Sequence, residues 1–451
     1  MSSAAVAERP HEPGRAASAA GLRRAKLLAG AFSLLLIAGT TEIVIDASVG
    51  HSALVPKSPS IAKWLGFAGE RLGYRVFLVA LLVLVGAYAG IVLLAANRRL
   101  DAISVRWAIA LLAALELIVF VGPILLSTDV FSYIAYARMG VTHGVNPYIH
   151  GPHSIFGDPV YRYVGSDWRK VATAYGPIYT LLTYPLAPLG LTGALWAAKT
   201  QALLASAGTL ALTWRCARLR DFDPKLALLI VGANPLYFIY GLGGAHNDLI
   251  MTLLMMAGVA LMLTSERRRR HEALAGAWVV VGALVKATAI VPLPFMVLSR
   301  RRLAPVLGAA VAALLGALLA LAVFGVHGVD IVSALNRDAG FVSTDSFPTE
   351  IAHLFGKPGI FPVDHALLKA ALVAIVLYLM WRTWRGYDWV SASGWTLLAI
   401  AVTSTWLLAW YTLWTLPLAA ISRDRRLLVA TLAVQALFVI HQISPLLAPV
   451  S

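Results

Sequence analysis

Apolar runs long enough to cross a lipid bilayer recur along this chain from Leu27 to Leu447, and no polar stretch between them is long enough to fold alone. A spanning segment must be helical, because lipid offers no partner to an exposed backbone N–H or C=O. The expected fold is therefore all-α and integral to the membrane, a single polytopic domain over 25–451. Its bundle should hold about 11–13 membrane segments, some re-entrant. Of the 451 residues, 59% are hydrophobic and 13% charged, where an average soluble domain has about a quarter charged. A water-soluble fold is excluded.

The net charge of +15 is spread over short clusters between the apolar runs. These are Arg23/Arg24/Lys26, Arg98/Arg99/Arg106, Arg215/Arg218/Arg220/Lys225, Arg267 to Arg270, Arg300 to Arg302, Arg382/Arg385 and Arg423/Arg425/Arg426. Such clusters mark cytoplasmic loops, so membrane lipids rather than nucleic acid are the implied partner. Residues 1–24 are rich in Ala, Ser, Pro, Gly and Arg, and read as a disordered cytoplasmic tail. The first apolar run is expected to stay as a helix, being long and without a clean small-residue cleavage site. Cys216 is the sole cysteine and permits no internal disulfide.

Expected spans are 27–46, 75–96, 105–126, 193–214, 226–241, 248–264, 303–325, 365–381 and 427–444. Three further stretches conflict with a straight crossing. Residues 272–298 and 391–421 carry basic clusters at both ends, so each must turn back, near Lys286 and around Trp406 to Tyr411. The stretch 177–188 must also stop short if the Arg215 cluster is to stay inside. Broken backbone at membrane depth is tolerated where it is buried or lines a cavity. A polar cavity opening outward is expected, roofed by the large outer loops 127–173 and 326–363, with 47–73 and 242–247 also outside.

In the first loop, Val130, Phe131, Ile134, Tyr136 and Met139 form a helical stripe over 129–140. Tyr133 and Arg138 stand offset from it, and a helix lying in the interface plane is expected. Ser127 or Thr128 would cap it, with Asp129 in the first turn where the helix dipole favours a carboxylate. Asp129 is thus a candidate general base and equally a plain capping residue; Asp158 and Asp167 share its loop. His143, His150 and His153 lie near Asp158, but on turns and at irregular spacing that suits a metal poorly.

Lys286, amid Val-Gly-Ala-Leu-Val and Ala-Thr-Ala-Ile, is expensive in lipid unless an anion lies beside it. That anion is a substrate phosphate or a buried carboxylate such as Glu116. Glu116 itself reads as an internal polar pairing, and Glu42 and Asp46 as interfacial. His246, Asn247 and Asp248 are three consecutive polar residues at membrane depth, which points to sugar or phosphate binding, although Asn247 or Asp248 also suits a helix N-cap. Trp406, Trp410, Tyr411 and Trp414 form either an interfacial belt or a surface for a sugar ring or a lipid chain. Asp330, Arg337, Asp338, Asp345, Glu350 and His353 make 326–363 a polar loop suited to covering the cavity and selecting the acceptor.

The order Ser-Thr-Asp-Val-Phe-Ser-Tyr (127–133), Gly-Val-Asn-Pro-Tyr (144–148), Asp-Trp-Arg (167–169) and Tyr-Gly-Pro (175–177) resembles the first large loop of GT-C glycosyltransferases. It is most similar to bacterial polyprenyl-phosphate-mannose-dependent α-1,6-mannosyltransferases of lipomannan biosynthesis. Gly-Ala-His-Asn-Asp-Leu (244–249), Gly-Ala-Leu-Val-Lys (282–286) and Trp410-Tyr411-Thr412-Leu413-Trp414 continue that order, and the resemblance spans 100–420. It implies inverting transfer from a polyprenyl-phosphate sugar to a glycan or glycolipid acceptor outside the cytoplasm. Asp129 then falls on the general-base position. Lys286, His246, Asn247, Asp248, Tyr133, Arg138 and Tyr175 are assigned to donor phosphate or sugar, and Trp410, Tyr411 and Trp414 to acceptor or lipid. No cofactor and no metal is implied; the lipid-borne sugar is a substrate. The chief alternative is a polytopic transporter or flippase of lipid-linked sugars, built on similar broken helices. A ligase-like membrane enzyme acting on lipid-linked oligosaccharides is a further one.

Overall fold

The computed structural model describes residues 19–48, 74–97, 103–264, 268–329, 341–343 and 346–447, and among them there are helices and loops but no strand. Residues 1–18 of the expected tail, residues 49–73, and Asp330, Arg337, Asp338 and Asp345 lie outside the described residues. Residues 19–24 depart from the expected tail. Helix α1 runs Ala19–Ser48, because Ala, Leu and Arg are strong helix formers and extend the apolar run backwards.

Among the described residues, five helices are long and apolar enough to cross a membrane, or six if one bent pair counts as a span. Helix α1 packs on α2 (Tyr74–Ala96) and on the shorter α3 (Val105–Val121), whose N-terminus is capped by Ser104. The expected span 226–241 is bent by 52°, between α7 (Pro224–Gly232) and a π-helical stretch Leu236–Leu242. The break falls at Asn234-Pro235. Proline has no N–H for the helical ladder, and Asn234 Oδ1 accepts instead from the N–H groups of Leu236 and Tyr237, at 3.0 and 3.3 Å.

Over the stretch 177–188, α5 (Pro177–Thr183) and a 3₁₀ turn lead directly into α6 (Gly190–Leu219). Helix α6 packs on α8 (Asp248–Thr264), which packs on α9 (Arg269–Ala283), and that on α11 (Ala304–Phe324). The chain between α9 and α10 (Pro292–Arg300) breaks at Lys286, as expected, and each arm packs chiefly on other helices rather than on its partner. The second expected break is also present. Helix Trp389–Thr403 ends at Ser404, and a 3₁₀ turn Ala409–Leu413 precedes the short helix Leu416–Ala420.

Helix α4 (Asp129–Thr142) corrects the interfacial reading. It is buried around its whole circumference, with Phe131, Tyr133, Ile134 and Ala137 at most 1% exposed. Nearly every residue in it is apolar, aromatic or small, so no polar face holds it at a water surface. It packs on α5 and α6 and is roofed by the loop that follows it.

Candidate active site

The site begins where two turns are locked together. Leu125 N–H donates to Gly243 O at 2.9 Å, and the residues just after them, Leu126 and Ala245, hold positive φ of 59° and 51°. Strain of that kind in non-glycine residues persists where surrounding structure over-determines it. The first turn presents Asp129 and the second His246, Asn247 and Asp248. Ser127 Oγ accepts the Asp129 N–H at 3.1 Å, so a serine supplies the cap and the Asp129 carboxylate is left to face the interior.

The Lys286 break is set opposite them by the Tyr175-Gly176-Pro177 turn. Gly176 N–H and Ile178 N–H donate to Val285 O and Leu284 O, each at 3.1 Å. A side chain at 176 would collide with the Leu284 backbone, which explains the glycine. With its backbone extended at φ −151°, Lys286 reaches Asp248, and Nζ donates to Oδ1 at 2.7 Å. Trp414 Nε1–H donates to the same oxygen at 2.6 Å, while Asp248 Oδ2 has no hydrogen-bond partner among the described residues. The ammonium also stands 4.4 Å from the Tyr411 ring and 5.0 Å from that of Trp414. The carboxylate expected as a rival partner, Glu116, accepts instead from Ser206.

These groups open on a cavity of about 360 Å³. Of the residues selected in the sequence, Asp129, Tyr175, Lys286, Trp406, Trp410, Tyr411 and Trp414 form its wall. Asp248 and Asn247 stand behind that wall, each 1% exposed; Tyr133 OH donates to Asn247 Oδ1 at 3.4 Å and its ring packs edge-on against Tyr175. His246 lies beneath Trp410, stacked at 3.7 Å between ring centroids, with Nδ1 3.5 Å from Asp129 Oδ2. A second cavity of about 350 Å³ adjoins the first and is lined by Leu126, Ser127, Thr128, Trp168, Trp406 and Asp129, among others. Asp129 belongs to both walls.

Arg138 is not in the site. Its Nε lies 2.9 and 2.8 Å from the two Asp158 oxygens, and Nη1 donates to Ala187 O at 3.1 Å. His143 Nε2 lies 2.8 Å from Asp158 Oδ2, and Val160 N–H donates to Oδ1 at 3.0 Å. Burial alone would raise the Asp158 pKa, but the bonds from His143, Val160 and Arg138 outweigh it and hold the carboxyl below its ordinary value. His153 bonds to Tyr161 instead, at 3.0 Å, so the loop histidines do not converge on Asp158.

Sequence reasoning missed Ser132, Tyr136, Tyr148 and Trp168 as wall residues. Trp168 carried a usable signal, an indole inside the Asp-Trp-Arg triplet; Tyr136 was read as part of an apolar stripe.

The chain matches the family model described as alpha-(1→6)-mannopyranosyltransferase, N-terminal domain, over residues 29–302, and that described as MptB C-terminal domain over 359–445. Similar proteins include alpha-(1→6)-mannopyranosyltransferase A of Mycobacterium tuberculosis, 28% identical over 70% of this chain and 66% of the relative. The protein of that name from Corynebacterium glutamicum is 29% identical over 40% of this chain and 36% of the relative. Its alpha-(1→6)-mannopyranosyltransferase B is 24% identical over 67% and 57%. In these matches the chain spans less than two thirds of each relative's length.

Proposed function

This chain belongs to the alpha-(1→6)-mannopyranosyltransferase family, and from that premise we propose that it transfers mannose, with inversion, from a polyprenyl-phosphate donor to a hydroxyl of a glycan or glycolipid outside the cytoplasm. The observation that carries the reading is the place of Asp129, on the wall shared by two adjoining cavities, one of which contains Lys286. The donor occupies the cavity with the lysine, its phosphate beside Nζ and its sugar against Trp410 and Tyr411. The acceptor enters the cavity bounded by Ser127, Trp168 and Trp406.

Chemistry then follows the geometry. The acceptor hydroxyl gives its proton to Asp129 while its oxygen bonds to the anomeric carbon, on the face opposite the phosphate. The carbon–oxygen bond to the phosphate breaks, and its electron pair leaves with the lipid phosphate. Lys286 balances that departing charge, as a positioned cation does for an oxyanion. The aromatic rings beside Nζ hold the ammonium in place through their π faces. The basic clusters, read as cytoplasmic loops, support this side of the protein lying outside the cytoplasm.

Purified full-length protein is incubated with radiolabelled polyprenyl-phosphate mannose, glucose or arabinose and an octyl α-(1→6)-dimannoside acceptor. The reading expects mannose label to leave the lipid and extend the acceptor. Label that stays on the lipid, or crosses a vesicle membrane without bond cleavage, overturns it in favour of a flippase.

A further inference from the structure

His246 carries a combination of features that sugar binding does not account for. Its side chain is 0% exposed, so it does not present a surface to either cavity. Neither ring nitrogen has a hydrogen-bond partner among the described residues, a costly arrangement for a buried polar group. The ring is tightly packed. Trp410 stacks on it at an interplanar angle of 21°, and Gly244 lies so close that a Cβ there would strike Nε2. The preceding residue, Ala245, has φ of 51°. Among the described residues, the carboxyl group within reach of the ring is that of Asp129, with Oδ2 at 3.5 Å from Nδ1. That separation exceeds a formed hydrogen bond, and catalytic contacts commonly tighten when substrate binds.

We propose that His246 is the positioning residue of the transfer reaction. With Nδ1–H directed at Oδ2, it fixes the Asp129 carboxylate so that Oδ1 is left to take the acceptor proton. Trp410 serves two purposes in this arrangement, since one face of the indole holds the imidazole while the indole also forms part of both cavity walls. Occupation of the cavity by a sugar presses Trp410 onto His246 and brings Nδ1 to Asp129. The assignment rests on Asp129 being the base, and the test separates the two claims.

Three variants divide the histidine's properties. His246→Phe keeps the stack and has no donor, His246→Gln leaves the Nδ1 position empty, and His246→Asn restores a donor near Nδ1 without the ring. Transfer of mannose from a short-chain polyprenyl-phosphate mannose to the octyl dimannoside is measured over a range of both substrates, with thermal unfolding and Asp129→Asn alongside. The expected result is a kcat lower by about 10²-fold in His246→Phe and His246→Gln, the scale of a catalytic group displaced by an ångström. KM values should stay close to those of the parent protein, and His246→Asn should recover part of the loss. Normal kcat in His246→Phe, or a loss confined to KM, overturns the role while an inactive Asp129→Asn leaves the base in place. An active Asp129→Asn removes the base and the positioning role together.

Discussion

Two aspartate–cation pairs stand near α4, and they differ in what they leave over. Asp158 receives the Arg138 guanidinium on both oxygens, with His143 and the Val160 N–H as well, and its side chain is 1% exposed. Arg138 donates a further hydrogen bond to the Ala187 carbonyl. Asp248, equally buried, takes Lys286 and Trp414 on one oxygen and leaves the other without a hydrogen-bond partner, while Lys286 lines the cavity. A saturated pair fastens α4 to the chain ahead of α6. An unsaturated one keeps charge available at depth, where intramembrane ionisable groups are usually functional.

The largest expected effect breaks the fastening pair. Arg138→Ala leaves a buried carboxylate without its main partner and should destabilise the protein by about 3–5 kcal/mol. Thermal unfolding in detergent reads the loss, and the KM for donor should be unchanged in the protein that remains folded. A raised donor KM with an unchanged unfolding midpoint would return Arg138 to the site.

Lys286→Ala should act the other way, weakening donor affinity by about 10–100-fold, the equivalent of roughly 1.5–3 kcal/mol for a charged hydrogen bond. Lys286→Arg should lose less, since it keeps the charge with a different geometry. Because the alanine leaves Asp248 charged, the double variant with Asp248→Asn is the sharper comparison. Affinity should remain low in it while stability returns towards that of the parent. Unchanged donor affinity in both would make the Lys286–Asp248 pair structural, like its counterpart.

The smallest effect is in pH. The folded-state pKa of Asp158 is lowered, so its stabilisation is complete above the ordinary carboxylate value of 3.8 and is lost as pH falls through the folded value. The unfolding midpoint should therefore not change on account of this group between pH 7 and pH 5, and in more acid solution should fall further for the parent than for Asp158→Asn. A contribution already lost at pH 5 would show that the clasp does not hold the carboxylate ionised.

Lys286 and the two helix breaks were legible because each violates a strong rule of the bilayer, one of cost and one of topology. The partner of Lys286 was not. Asp248 lies 38 residues away in sequence, and nothing local distinguishes it from Glu116, which the fold pairs with Ser206. Arg138 was misassigned because its neighbours are site residues, whereas its aspartate is brought back by the loop 20 residues later. The cost argument has its own blind side. Lys199, on α6 and 2% exposed, is as isolated in sequence as Lys286. It bonds to the Gly122 carbonyl with its ammonium 4.9 Å from the Trp196 ring, a structural solution to the same problem. His246, Asn247 and Asp248 were legible as a group, yet their separate positions depend on the positive-φ turn at Ala245 and on Trp410, both set by tertiary packing.

The most direct test compares transfer and binding in Asp129→Asn. The substitution preserves size, and the capping oxygen at this helix end belongs to Ser127. Donor affinity and the unfolding midpoint should match the parent protein, while mannose transfer from polyprenyl-phosphate mannose falls by about 10²–10⁴-fold, the usual contribution of a general base. Near-normal transfer with binding intact would contradict the account and move the base to another carboxylate.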